Sequence, residues 1–282
     1  MNGSRENHQE EQATLWNGPG ARAWIEMQSL LDEVLKPFEN LLIQEVAAKS
    51  ASRVLDVGCG TGATTLALAR RLGTEARVVG IDISDPMIAV ARARAAQDSS
   101  SANFISADAQ TNPFAPASFD MITSRFGVMF FSDPVSALAN LRHAATADAN
   151  LCWYVWRDAG NNPFMTTAER AAAPLLPEIP PREPDAPGQF AFADPARVTR
   201  ILQDSGWGEI GIEPIDVPCA FPESELVRYF TNLGPLSRLL QEVHGHTRAL
   251  IIAKVREAFE PFVYQDEVRF QAACWRVSAH SG

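Results

Sequence analysis

The stretch Arg53-Val54-Leu55-Asp56-Val57-Gly58-Cys59-Gly60-Thr61-Gly62 decides the reading of this chain. Val54 to Val57 reads as a short buried strand and Thr64 to Leu72 as a helix, so three glycines must make the turn between them. Glycine there tolerates positive φ and lets a ligand come close to the backbone. Asp56 sits two residues before the first glycine, and this carboxylate points to a nucleoside ligand that carries a positive group.

The same alternation of strand and helix spreads outward from the loop. Strands are expected at Arg77 to Ile81, Phe104 to Ala107, Phe119 to Ser124 and Leu151 to Trp156, with helices at Pro86 to Gln97 and Pro134 to Ala145. A helix from Pro195 to Ser205 and a strand from Glu209 to Val217 follow, and the last strand, Val268 to Ala279, is expected to enter antiparallel. Strands that alternate with helices imply right-handed crossovers and a mostly parallel sheet with helices on both faces. The fold class is α/β. Asp85-Pro86, Asp133-Pro134 and Asp194-Pro195 each place a capping carboxylate before a proline suited to the first helical turn.

Upstream, Met1 to Gln12 is polar and reads as disordered. Ala21 to Lys49 repeats apolar residues at helical spacing (Trp24, Met27, Leu31, Val34, Phe38, Leu42, Val46), with Pro37 splitting or kinking the helix. Downstream, the proline-rich run Pro163 to Pro187 reads as an irregular lid, and Pro222 to Phe262 as a mostly helical insertion. The organisation expected is a tail and lid segment over 1–20, then one domain over 21–282 with insertions at about 157–193 and 219–265.

Composition narrows the ligand class. The chain has 282 residues, 46% of them hydrophobic, which is enough for a sizeable core, and its net charge of −10 disfavours a phosphate-backbone partner. No apolar run is long enough to span a bilayer, and the polar start lacks a signal-peptide core, so a cytoplasmic protein without a membrane or nucleic-acid partner is expected. Cys59, Cys152, Cys219 and Cys274 form no CxxC pair and read as buried thiols. His244-Gly245-His246 lacks further ligands at useful spacing, and no metal is expected. Nothing in the sequence sets the oligomeric state.

Gly58-x-Gly60-x-x-Ala63 also satisfies the pattern of a nicotinamide or flavin dinucleotide loop. A pyrophosphate on that loop would meet unfavourable charge from Asp56, whereas S-adenosylmethionine brings an ammonium and a sulfonium. Asp82, at the end of the second strand, is placed to accept from ribose hydroxyls and suits either ligand. Asp108 follows the third strand and is placed to accept from an adenine amine. Any one of these could be a turn aspartate, but three at successive strand ends line the edge where open α/β sheets bind ligands.

Val54-Leu-Asp-Val-Gly-Cys-Gly-Thr-Gly62, Gly80-Ile-Asp82, Ala107-Asp108-Ala109 and Ser118-Phe-Asp-Met-Ile-Thr-Ser-Arg-Phe-Gly-Val-Met-Phe-Phe131 together resemble the motifs of class I S-adenosylmethionine-dependent methyltransferases. The branch most similar includes the ubiquinone and menaquinone biosynthesis enzymes. The resemblance covers about Arg53 to Trp156 and, more loosely, the last two strands. It implies a Rossmann-like seven-stranded sheet with an antiparallel last strand, and an enzyme that passes a methyl group from S-adenosylmethionine to a small acceptor, leaving S-adenosylhomocysteine. It also implies that Gly58, Cys59 and Gly60 line the methionine and ribose portion and that Asp56 anchors the ammonium. Asp82 would take the ribose hydroxyls, Ile83 would pack on the adenine, Asp108 would hold its amine and Ala109 would offer an amide. Ser124, Arg125 and Phe126 would flank the methionine portion. The segment Leu15 to Trp24 looks like the helix that covers the cofactor in related enzymes, with Trp16 as its lid contact and Trp24 on the packed stripe.

Methyl transfer needs alignment and exclusion of water more than a dedicated base, and no catalytic residue is assigned. His244, His246 and Tyr229 remain candidates for a base if they reach the site. Phe164, Met165, Phe190, Phe192, Phe221, Tyr229 and Phe230 could line an apolar or aromatic acceptor pocket, or could form the core of the insertions. A cofactor-binding protein that moves no methyl group, and an NAD-dependent oxidoreductase, are the alternatives.

Overall fold

The structure, a computed structural model, describes residues 2–176 and 186–282. Its centre is one sheet built from β1 (Arg53–Val57), β2 (Arg77–Asp82), β3 (Asn103–Ser106), β4 (Phe119–Arg125), β5 (Ala145–Trp156), β6 (Gly208–Pro222), β7 (Val263–Tyr264) and β8 (Glu267–His280). The order is β3-β2-β1-β4-β5-β8-β6, with the two-residue β7 paired to β8 as an eighth strand that the sequence did not announce. The pairs β1/β2, β2/β3, β1/β4 and β4/β5 are parallel, and β8 runs antiparallel to β5 and β6, as expected of the last strand. Strand order reverses at β1, between β2 and β4. That reversal opens the crevice in which α/β sheets bind ligands, and the glycine loop stands at its mouth.

Among the described residues, twelve α-helices accompany the sheet. The first four, α1 (Asn2–Asn17), α2 (Pro19–Glu26), α3 (Gln28–Val34) and α4 (Lys36–Ala48), precede β1. The expected disorder before Gln12 is therefore wrong: the polar start forms α1. The long amphipathic stretch divides in three rather than two, with breaks at Met27 and Leu35, because Pro37 is accepted in the first turn of α4 and does not kink an interior. Its stripe is the expected one. Met27, Leu31, Val34, Phe38, Leu42 and Val46 are buried in the main core, and Trp24 packs partly buried against it.

The crossover helices α5 (Ala63–Leu72), α6 (Asp85–Gln97) and α7 (Pro134–Ala144) follow, with α4 packed on α5. Asp133 caps α7 by accepting from the Ser136 amide. The Asp85 cap is corrected: Ser84 is the N-cap, accepting from the Met87 amide, while Asp85 lies in the first turn and accepts from the Ser106 hydroxyl. Past β5, the expected irregular lid contains α8 (Pro163–Ala172), and its residues 177–185 lie outside the described residues. Next come α9 (Pro195–Asp204), capped by Asp194, and then α10 (Leu226–Asn232), α11 (Gly234–Glu242) and α12 (Gly245–Ala258) of the helical insertion.

Candidate functional site

β1 is buried along Val54 to Val57, and Asp56 within it is only 1% exposed. Its Oδ2 accepts a 2.6 Å hydrogen bond from the Thr65 hydroxyl on α5. Burial pushes the Asp56 pKa up to about 6, while the Thr65 hydroxyl and the positive Arg125 pull it back. The loop then turns through Gly58, with φ +68°, and Gly60, with φ +54°. A Cβ on Gly58 would lie 2.6 Å from the Gly127 Cα, so the ends of β1 and β4 touch backbone to backbone. Above Gly60 the space is open, since a Cβ there would meet only the Met87 Sδ at 3.8 Å. One glycine serves packing and the other leaves room for a ligand.

Asp82 is held from two sides. Its Oδ2 accepts from the Gly60 amide at 2.8 Å and its Oδ1 from the Ser84 amide at 2.9 Å. Burial raises its pKa, and these amides oppose the rise. Asp108 Oδ1 accepts from the Gln110 amide at 2.8 Å, and its Oδ2 from Gln9 Nε2, also at 2.8 Å. A carboxamide from α1 thus makes the hydrogen bond that the resemblance gives to the adenine amine. Asn17 ties the end of α1 down, donating from Nδ2 to the Ile83 carbonyl at 3.1 Å and accepting from the Asp85 amide at 2.9 Å.

These groups line one cavity of about 1190 Å³. Eleven of the expected site residues face it: Trp16, Asp56, Gly58, Cys59, Gly60, Asp82, Ile83, Asp108, Ala109, Arg125 and Phe126. Ser124 does not. It is fully buried, donates from Oγ to the Val57 carbonyl at 2.7 Å and accepts from the Gly127 amide at 3.1 Å, fastening β4 to the glycine loop. Phe126, at φ +64°, stacks on Trp156 with ring centroids 4.3 Å apart. Trp16 meets Phe130 edge to face at 5.1 Å and Trp24 at 6.2 Å, so the tryptophan expected as a lid also packs on the core side. The Cys59 thiol is pushed well above its ordinary pKa by burial and by Asp82 and Asp56, which leaves it a poor nucleophile.

The cavity runs on into an apolar chamber. Phe164 and Met165 from α8, Phe190 from the following loop, and Tyr229 and Phe230 from α10 line it, as do Phe259 and Phe270. Phe192 and Phe221, also candidates for an acceptor pocket, do not line it and are 1% exposed. Phe192 packs on Trp153, and Phe221 supports Tyr229 from behind at 5.1 Å. His244 and His246 are exposed and do not line the cavity, which removes them as bases. Among the described residues no cluster of His, Cys, Asp or Glu could hold a metal ion.

Residues 54–147 match the family model described as a methyltransferase domain. Over these residues the chain is similar to a methyltransferase domain. Nocamycin O-methyltransferase of Saccharothrix syringae is 27% identical over 237 residues, covering 79% of this chain and 83% of that protein. A demethylmenaquinone methyltransferase of Renibacterium salmoninarum is 28% identical over 181 residues, covering 61% and 73%. The crystal structure of a putative methyltransferase from Bacillus halodurans aligns with a TM-score of 0.55 at 18% identity, over 86% of this chain and 97% of that one, a likeness of fold. The chain spans 62% of the length of mycobacterial relatives of uncharacterised role, which are 30% identical.

The glycine pattern left a methyltransferase and a dinucleotide enzyme open, and the family model that matches residues 54–147 is that of a methyltransferase domain. Around the cavity, sequence reasoning missed Gln9, Thr64, Thr65 and Gln189. Gln9 lay in a stretch without periodicity, and the Thr65 contact exists only because α5 folds back over β1. Thr64 Oγ1 and Gln189 Nε2 are buried without a hydrogen-bond partner, and both residues line the cavity.

Proposed function

We propose that this protein transfers a methyl group from S-adenosylmethionine to a small apolar or aromatic acceptor. The observation that carries this reading is one continuous cavity, with carboxylates and open glycine backbone at one end and aromatic rings at the other. The residues present fit the cofactor. Asp56 offers a buried negative charge for its ammonium, Asp82 keeps acceptor capacity for the ribose hydroxyls beside two fixed amides, and the open face of Gly60 admits a ligand against the backbone. Thr64 Oγ1 is a polar atom still lacking a partner in that cradle. Asp108 would take the adenine amine in exchange for, or alongside, the Gln9 carboxamide.

When bound, the cofactor supplies a methyl carbon already activated by sulfonium. The chain's task is then to position and to dry the site. Phe126, Trp156 and Phe130 wall the region beyond the glycine loop, and α1 with Trp16 covers it. The segments at about 157–193 and 219–265 act as acceptor-binding insertions, supported by the aromatic residues that they send into the cavity. Burial holds the Tyr229 phenol protonated well above its ordinary pKa, so it serves as a hydrogen-bond donor to an acceptor oxygen rather than as a base.

The net charge of −10 favours a small molecule over nucleic acid as acceptor. Among the described residues no helix is long and apolar enough to cross a membrane, and the four buried thiols suit a reducing, cytoplasmic setting. Incubation with methyl-labelled S-adenosylmethionine and a panel of phenolic, quinone-like and isoprenoid acceptors tests the proposal. Label in an organic product is expected. Tight binding of S-adenosylhomocysteine without turnover of any acceptor would favour a non-methylating role, and binding of NAD alone would end the reading.

A further inference from the structure

Among the described residues, the acceptor end of the cavity is poor in bases. All five histidines of the chain and all its lysines are described, and none lines the cavity. Cys59 and Tyr229, which do line it, are held protonated by burial. Carboxylates are the bases that remain, and a carboxylate is a poor base for an ordinary phenol, whose pKa lies about six units above its own. Asp56, pushed up to about 6, belongs to the other end, beside Thr65 and the glycine loop. From the two insertions, the charged residues described on the wall are Glu169 of α8 and Arg238 of α11, one of each sign.

Donors are present where bases are not. The Tyr229 hydroxyl lies in an aromatic surround with no hydrogen-bond partner among the described residues. Gln189 is half-buried, but its Nε2 is closed off from water and also lacks a partner. Its loop is fixed beside the turn that follows β4, since the neighbouring Gly188 amide donates to the Met129 carbonyl at 3.0 Å. A buried N–H without an acceptor is costly, and a ligand oxygen that draws the carboxamide into the chamber relieves that cost. Phe164 stands 5.7 Å from the Tyr229 ring and is itself stacked on Phe270 at 3.9 Å, walls suited to a flat conjugated guest.

We propose that the acceptor is a flat, conjugated, acidic enol that enters as its anion, and that the Tyr229 hydroxyl and the Gln189 carboxamide donate to the oxygens of that anion. This rests on the methyl-transfer reading above and narrows its acceptor. An electron pair of the enolate oxygen forms the new O–CH3 bond as the C–S bond breaks, and the pair of the broken bond stays on sulfur. Anion and sulfonium give a neutral ether and S-adenosylhomocysteine, and no proton passes to the protein. Methylation at carbon would leave a C–H proton to be removed, which again calls for a base.

Calorimetry on the protein loaded with S-adenosylhomocysteine would compare three ligands of one skeleton at neutral pH: 4-hydroxycoumarin, an acidic enol; 6-hydroxycoumarin, an ordinary phenol; and coumarin, which has no hydroxyl. The enol should bind about tenfold or more tighter than either, the range of a hydrogen bond to a charged group. Tyr229→Phe and Gln189→Leu should each shrink that preference to about threefold or less. With methyl-labelled S-adenosylmethionine the label should appear in 4-methoxycoumarin, at a saturated rate that stays flat from neutral pH to about pH 9. An enol that binds no better than the phenol, or a full preference kept in both variants, overturns the proposal. Label on the ring carbon beside the enol, or turnover of the phenol as fast as the enol at neutral pH, overturns it too. Failure of S-adenosylhomocysteine itself to bind, seen before any coumarin is added, would instead sink the cofactor reading. Should a variant not fold, the wild-type comparison of enol, phenol and coumarin still decides.

Discussion

Gln9 Nε2 lies 2.8 Å from Asp108 Oδ2, joining α1 to the end of the third strand across 99 residues of chain. The side chain that the resemblance assigns to the adenine amine therefore already holds a protein amide in the same chemical role. Replacing Asp108 by Ala should weaken S-adenosylhomocysteine about tenfold, the range of a hydrogen bond to a charged group. Gln9→Ala should leave its equilibrium affinity unchanged or improved and speed its dissociation, as read by stopped-flow displacement. If Gln9→Ala weakens binding as much as Asp108→Ala does, the amide is part of the binding site and not a competitor for it.

Asp56 should give ligand binding and stability opposite responses to pH. Its folded pKa of about 6 lies above the unfolded value near 3.8, so between the two the native state holds the proton more firmly. This term stabilises the unliganded fold fully below about pH 4 and is lost as pH rises to about 6, leaving a cost of about 3 kcal/mol at neutral pH. A ligand ammonium needs the ionised carboxylate. S-adenosylhomocysteine affinity should accordingly rise through pH 6 with release of a proton, detected by calorimetry in buffers of different ionisation enthalpy. Asp56→Asn should remove this pH dependence and raise the melting temperature of the unliganded protein at pH 7 while abolishing tight binding.

The two glycines of the loop should fail differently. Gly58→Ala drives a methyl to 2.6 Å from the Gly127 Cα at positive φ, and the variant should be unstable or insoluble. Gly60→Ala meets only a sulfur at 3.8 Å, so its penalty is the left-handed backbone, about 1–2 kcal/mol. Thermal melts should show a folded Gly60→Ala protein that has lost most of its affinity for S-adenosylhomocysteine. Retained affinity in that variant would mean that no ligand approaches the backbone there.

Ser124→Ala removes two buried hydrogen bonds that join β4 to the loop. Chemical denaturation should register a loss of about 1–3 kcal/mol. Binding of S-adenosylhomocysteine by the folded fraction should change by less than about threefold, since the hydroxyl does not face the cavity. A large affinity loss without a stability loss would contradict that placement.

Tyr229→Phe tests the acceptor chamber. The hydroxyl sits in an aromatic surround with no partner among the described residues, and burial keeps it protonated. Once an acceptor is known, its KM should rise about tenfold in the variant, as expected for loss of one specific hydrogen bond, with cofactor affinity unchanged. An unchanged KM would leave Tyr229 as a wall residue only.

Most of the residues that the resemblance assigns to the cofactor line one cavity, because that end is made of local geometry. A buried strand, a glycine turn and a helix start lie within twenty residues, and the carboxylates of Asp82 and Asp108 stand at corresponding strand ends. Side-chain direction was less legible. Ser124 and Arg125 are neighbours on one strand, yet period-two alternation points the hydroxyl into the sheet interior and the guanidinium to the cavity. Phe192 and Phe221 looked equivalent to Phe164 and Phe190 in composition. Which aromatic ring faces a void and which fills a core depends on the packing of α8, α10 and β8, which are far apart in sequence.

By itself, the sequence determined the alternating architecture, the antiparallel last strand, the glycine turn and the carboxylates along the sheet edge, because each follows from short-range periodicity or from backbone freedom at a single residue. Tertiary structure alone decided that a polar leading segment becomes a helix bonded to Asp108, that Thr65 answers Asp56, and that the Arg125 guanidinium reaches back to the Leu35 carbonyl. Those are relationships between groups 9 to 99 residues apart. They exist only when the sheet brings the ends of its strands to one edge and excludes water there.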